Sequence, residues 1–334
     1  MMTIKDIAKA MGVSTATVSK ALNGYSDINA ETAAKIRAFA KEANYHPNIA
    51  ARQLKINSSH NIGVLFVDDT DSGLTHEFFS SILNSAKIEF EKLGYDITFI
   101  NHSIGGTEAT FLEHAKYRRC DGVLIACVDF ENKEVVELVN SDIPTVTIDY
   151  QYPGKSSVMS DDFEGSYVLT EYLLNMGHKK IAIIHGEDTG VTRKRLDGFY
   201  SALADYGVNI PPEYEIEGAY HDTKICSEAT RKLMSLKEPP TVIMYPDDFA
   251  YLGGMSELEK MGLEVPKDVS VTGYDGINLS QCLRPQLTTY QQDSEEIGRR
   301  AARKLISHIE ERDVKAEQIK VDGRLLPGKS VAKI

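Results

Sequence analysis

Beyond residue 60 the chain alternates between two patterns. Short aliphatic and β-branched runs, NIGVLFV, DITFIN, CDGVLIACV and IPTVTIDY, read as buried strands. Between and after them, apolar residues recur at three- and four-residue spacing. HEFFSSILNSAKIEFEKLGY reads as an amphipathic helix ended at Gly94, and TRKRLDGFYSALADYG as another. The segment SSVMSDDFEGSYVLTEYLLNMGHKKIAIIHG gives a helix and then a strand, and residues 240–276 give strand, helix and strand. A late helix, DSEEIGRRAARKLISHIEER, carries Ile297, Ala301, Leu305, Ile306 and Ile309 on one stripe. Alternating βα units predict parallel sheets covered on both faces, and the plan runs twice, from 61 and from 162.

The first 45 residues follow a different pattern. Thr3 is placed to cap IKDIAKAM, with Ile4, Ile7, Ala8 and Met11 on one face. Gly12 ends that helix, since glycine tolerates the left-handed turn required there. Ser14 caps TATVSKAL, which turns Val18, Ala21 and Leu22 inward and leaves Thr15, Ala16, Ser19 and Lys20 outside. Asn29 caps a third helix over AETAAKIRAFAKEANY, with Ala33, Ile36, Ala40 and Ala43 buried. Three short helices with a tight turn between the first two predict a helix-turn-helix.

Composition sharpens this picture. The 334 residues carry net charge −12, with 42% hydrophobic and 26% charged residues, as in an ordinary globular protein of two or three domains. The charge is segregated. Residues 1–60 hold eight Lys/Arg against four Asp/Glu, a net +4, leaving −16 for the rest. A cationic head on an anionic body suits local binding to phosphates. No apolar run is long enough to span a membrane, and the N-terminus lacks a secretory pattern, so a cytoplasmic location is expected. Cys120, Cys127, Cys226 and Cys282 are widely spaced, so reduced thiols and no metal site are expected.

The stretch TIKDIAKAMGVSTATVSKALN, followed by NYHPNIAARQLK, resembles the lactose/purine repressor (LacI/GalR) family. The resemblance implies a full architecture: a head over 1–46, a hinge helix and linker over 47–60, then a two-lobed periplasmic-binding-protein-like core of parallel sheets. The N-terminal lobe would comprise 61–161 plus 291–321, and the C-terminal lobe 162–290 plus 322–334. It also implies that Thr15, Ala16 and Lys20 face bases and that Thr17 and Ser19 meet phosphates. Thr3, Ser14, Asn23 and Asn48 complete the DNA-facing set. Leu54 would wedge into the minor groove at the operator centre, with Ala51 and Arg52 lining that groove, which makes double-stranded operator DNA and a homodimer the expected partners.

In such a core the default ligand site is the cleft at the strand ends. The resemblance places Phe78, Phe79, Asp161, Arg195, Tyr220, Asp247 and Asp275 there, while Asp248 reads as a helix cap. Carboxylates that accept paired hydroxyls, beside aromatic faces, suit a sugar. Metalloprotease, nucleophile-elbow, Walker and dinucleotide motifs are missing from the sequence, which speaks against an enzyme, and no cofactor is expected. The function read from sequence is therefore a sequence-specific repressor under a small-molecule effector, with a sugar favoured. Control by a purine or nucleoside, or by a protein partner on the Arg299–Arg300–Arg303 face, is the alternative.

Overall fold

The computed structural model describes residues 2–22, 27–45, 58–67, 73–311 and 314–334. The chain divides into two compact units, residues 1–59 and 60–334.

In the first unit, α1 (Ile4–Met11) opens with a reciprocal cap. The Thr3 hydroxyl accepts from the Asp6 N–H, and Asp6 accepts from the Thr3 N–H at 2.9 Å. Gly12 takes φ +64°, so α1 stops and α2 (Thr15–Leu22) begins three residues later. There Ser14 Oγ accepts from the Thr17 N–H at 3.0 Å. Asn29 caps α3 (Ala30–Glu42) through two backbone N–H groups. This helix is a turn shorter than its pattern suggests, because Asn44 adopts a left-handed conformation and Tyr45 folds back to the Ala40 carbonyl. Ile7, Val18, Ala21 and Ile36, with small alanines between them, close a core of their own.

The second unit holds two six-stranded sheets. The first has the order β13–β7–β6–β5–β1–β2, from Gln318–Val321, Ser156–Ser160, Thr145–Ile148, Gly122–Ala126, Asn61–Phe66 and Asp96–Phe99, and all its pairs are parallel. The second has the order β14–β12–β11–β10–β8–β9, from Arg324–Leu326, Thr288–Gln291, Ser270–Asp275, Val242–Met244, Ile181–His185 and Glu215–Glu217. Only β14 in it runs antiparallel to its neighbour. A small hairpin of β3 (Ser103–Ile104) and β4 (Thr107–Glu108) turns on Gly105 and Gly106.

The chain crosses between the sheets three times: after Ser160, after Gln291 and after Val321. The middle crossing sends helix Ser294–Glu310 back to the first lobe, where Ile297, Ala301, Leu305 and Ile306 pack with Ile82 and Phe90. The helices touch so closely at Gly298 that an added Cβ would lie 2.2 Å from the Ile82 carbonyl oxygen. Strand β7, Ser-Ser-Val-Met-Ser, is fully buried although its sequence is polar. Ser156 Oγ meets His308 Nε2 at 2.8 Å and Ser157 Oγ donates to Gln151, so burial leaves these two hydrogen-bonded, whereas the Ser160 hydroxyl has no partner among the described residues.

Candidate functional site

Between the lobes lies a cavity of about 400 Å³. Its walls come from the residues that follow the carboxyl ends of the strands: Cys127 and Val128 after β5, Asp149 and Tyr150 after β6, Asp247 after β10, and Asp275 closing β11. Strand ends that converge from two parallel sheets leave a concave, ligand-sized gap. The first lobe supplies aromatic faces. Phe78 and Phe79 sit on the first turn of helix Glu77–Lys92, 5.2 Å apart edge to face, and Phe130 stacks on Tyr150 at 4.6 Å. The second lobe supplies Tyr220 and His221.

Arg195 stands on helix Gly190–Asp205 at the cavity wall. Its Nε donates to Asp162 Oδ1 at 2.8 Å and its Nη1 to the Pro246 carbonyl at 3.0 Å. The guanidinium lies 3.7 Å from the Tyr274 ring centre and 5.5 Å from that of Tyr220. Burial pushes the Asp162 carboxyl up, and the Arg195 charge pulls it back. Asp275 accepts from Gln292 Nε2 at 2.6 Å. Burial above all, with Asp247 nearby, raises Asp275 to about 7 against the opposing pull of Arg195. Asp149 is likewise raised to about 7 by burial and by Asp162. One oxygen of Asp149 has no hydrogen-bond partner among the described residues.

Of the residues expected in the cleft, Phe78, Phe79, Arg195, Tyr220, Asp247 and Asp275 line this one cavity. Asp161 does not. It caps helix Asp162–Asn175 and pairs with Lys320 at 2.8 Å, while its neighbour Asp162 turns inward to Arg195. The adjacent pair Asp247–Asp248 also divides its roles differently from the expectation. Asp247 accepts from the Ala250 N–H at 2.6 Å at the start of helix Tyr251–Lys260, and from the His221 N–H at 2.7 Å. Asp248 instead accepts from the Ile277 N–H at 2.9 Å and braces a different loop. Sequence reasoning missed Asp149, Phe130, Tyr150, His221 and Gln292. The strand-end rule applied to IPTVTIDY points to Asp149 and Tyr150; His221 carries no such signal.

In the head, Thr15, Ala16 and Lys20 are exposed, and the Lys20 ammonium pairs with Asp27. The hydroxyls of Thr3, Ser14 and Thr17 are engaged in the caps, and Ser19 is half-buried. Asn23, Asn48, Ala51, Arg52 and Leu54 lie outside the described residues. Arg299 and Arg300 both pair with Glu296, and Arg303 pairs with Glu89 at 2.7 Å. Each of the three guanidinium groups thus has a carboxylate partner within its own lobe, two of them sharing Glu296. Among the described residues no group of three or more His, Cys, Asp or Glu could hold a metal, and no helix is long and apolar enough to cross a membrane.

A helix-turn-helix unit, followed in the chain by a two-lobed α/β core with a ligand-sized cleft at its strand ends, defines an effector-controlled transcriptional regulator. The pattern of bacterial regulatory proteins, lacI family, matches residues 3–48, and that of the periplasmic binding protein-like domain matches residues 170–331. The probable HTH-type transcriptional repressor ExuR of Bacillus subtilis (strain 168) is 34% identical over 323 residues, 96% of this chain and 95% of that protein. The HTH-type transcriptional repressor PurR of Pasteurella multocida (strain Pm70) is 33% identical over 337 residues, 99% of each chain. The Lac repressor dimer bound to operator and the anti-inducer ONPF superposes with a TM-score of 0.82 at 27% identity, over 99% of both chains. The chain belongs to the lacI family of bacterial regulatory proteins: a DNA-binding transcriptional repressor whose activity a small-molecule effector controls.

Proposed function

We propose that this regulator acts in the cytoplasm as a homodimer, has no catalytic activity, and binds a near-palindromic operator whose occupancy a sugar in the cleft controls. The carrying observation is the cavity's chemistry. Aromatic faces from Phe78, Phe79 and Tyr220 stand beside the carboxylates of Asp149, Asp247 and Asp275. Sugar hydroxyls donate to carboxylates, and the apolar face of a pyranose covers aromatic rings. A purine is the weaker fit, because its ring nitrogens and carbonyl need donors and this wall is dominated by acceptors. A protein partner on the Arg299–Arg303 face has lost its support, since those cations are already paired.

Thr15, Ala16 and Lys20, exposed on α2, are the residues we assign to base edges, with phosphate contacts from Thr17 and Ser19. One head presents few base-reading side chains, so two heads on two half-sites are required for a specific site. The test is a melting-temperature shift with a panel of pentoses, hexoses and disaccharides on wild type and Arg195→Ala. A shift that Arg195→Ala removes supports the reading, and one that it leaves intact opposes it.

A further inference from the structure

The geometry points to an effector that is selected by charge: the cleft takes a neutral or amino-bearing, hydroxyl-rich ring and rejects anionic sugars, uronates and sugar phosphates alike. This rests on the cleft being the effector site and narrows what enters it.

Among the described residues five carboxyl side chains, Asp129, Asp149, Glu187, Asp247 and Asp275, line the cavity against one permanent cation, Arg195; those of Asp149 and Asp275, raised to about 7, carry their charge in part at neutral pH and in full above it. That cation is already partly engaged. Asp162 and the Pro246 carbonyl take two of its donors, and Tyr274 covers its face. An incoming carboxylate or phosphate would have to compete for a guanidinium that is already held, while approaching carboxylates of its own sign. The histidines of the wall have their ring faces covered: His76 and His221 stack face to face at 4.1 Å, and His221 stacks on Phe249 at 3.9 Å.

The acceptors, by contrast, are prepared for donors. Gln292 donates one N–H to Oδ1 of Asp275, a residue of the cavity wall, and so fixes that carboxylate's orientation. Gln292 is thus a positioning residue, held in place by its own burial. Asp149 has an oxygen with no hydrogen-bond partner among the described residues. A hydroxyl or ammonium supplies the missing donor; a carboxylate or phosphate adds a further acceptor. Burial away from bulk water makes that mismatch costly.

The experiment is calorimetry on the full-length protein with matched ligand series built on one ring. These are glucose, glucosamine, glucuronate and glucose 6-phosphate; galactose, galactosamine and galacturonate; ribose and ribose 5-phosphate. The expected result is binding by a neutral or amino member of at least one series, with its anionic counterparts at least about tenfold weaker, as unscreened like charges require. Asp149→Asn with Asp275→Asn should weaken the neutral ligand and shrink the discrimination. An anionic member that binds more tightly than its neutral parent, and loses binding in Arg195→Ala, overturns the charge rule while leaving the cleft as the site. Absence of binding by every neutral and amino member also overturns it. A ligand indifferent to all three substitutions sits elsewhere and overturns the cleft reading together with the charge rule built on it.

Discussion

His76 of the first lobe and His221 of the second stack ring on ring across the cleft, 4.1 Å between centroids and 17° from parallel. His76 is the residue before helix Glu77–Lys92, which carries Phe78 and Phe79, and His221 follows Tyr220. The stack therefore ties together the two sets of side chains that line the effector cavity. Next to it, Glu77 Oε1 accepts from the Asn278 N–H at 2.8 Å and makes a second bridge between the lobes. Stacked rings contribute about 0.5–1.5 kcal/mol beyond their burial. His221→Ala should accordingly weaken effector binding by about three- to tenfold, and calorimetry on the purified variant measures it. Unchanged affinity would mean that the stack does not help to hold the lobes around the ligand.

The Arg195–Asp162 pair predicts a stability effect separate from ligand binding. Both side chains are buried, at 12% and 2% exposure. Arg195→Ala leaves a carboxylate stranded in the core and should cost about 3–5 kcal/mol. Combining it with Asp162→Ala should recover much of that loss. Chemical denaturation of the single and double variants decides the matter: a double variant as unstable as the sum of the two singles argues against direct coupling.

The raised carboxyls of Asp149 and Asp275 predict a pH dependence with a definite sign. Each titrates near 7 in the folded chain and near the ordinary value for aspartate when unfolded. Below the unfolded value both states are protonated and these groups impose no penalty. As pH rises toward 7 the folded state holds a proton that the unfolded state has lost, so their effect on stability becomes progressively unfavourable and is complete above about 7. A ligand whose hydroxyls donate to the carboxylates favours the ionised form. Effector affinity should therefore fall as pH drops from about 8 to 6, and binding near pH 7 should release protons. Calorimetry in buffers of different ionisation enthalpy reads that release directly.

In the head, the Lys20–Asp27 pair sets the charge that α2 presents. Asp27→Asn removes the competing carboxylate and should tighten operator binding, while Lys20→Ala should relax base preference at one position of each half-site. If Lys20 meets only phosphate, its loss instead weakens all sequences alike and lowers the salt slope by about 0.9. Anisotropy titrations over a salt series separate the two outcomes.

Much of this structure was legible in periodicity. The three head helices, their Thr3, Ser14 and Asn29 caps and the repeated βα units follow from spacing and capping chemistry. What escaped notice depends on long-range partners. Strand β7 reads as polar yet is buried, with Ser156 hydrogen-bonded to the distant His308. The pairs Asp161–Asp162 and Asp247–Asp248 each present two identical side chains in succession. Which one caps the next helix and which serves another partner is set by where that helix starts, a boundary that pattern alone does not fix to one residue. His221 reaches the cleft from a left-handed backbone position, φ +57°, at the end of a loop whose sequence gives no periodic signal.

The central claim is that a ligand in the cleft controls the head, and operator binding titrated with effector tests it most directly. Anisotropy of a labelled operator fragment, followed against the neutral sugar that shifts the melting temperature, gives the coupling as a ratio of operator affinities. The prediction is that effector changes operator affinity at least about fivefold in wild type, whereas Arg195→Ala keeps its operator affinity but loses the response. An Arg195→Ala protein that responds as wild type does, or a wild type whose operator affinity is indifferent to a ligand saturating the cleft, would contradict the account.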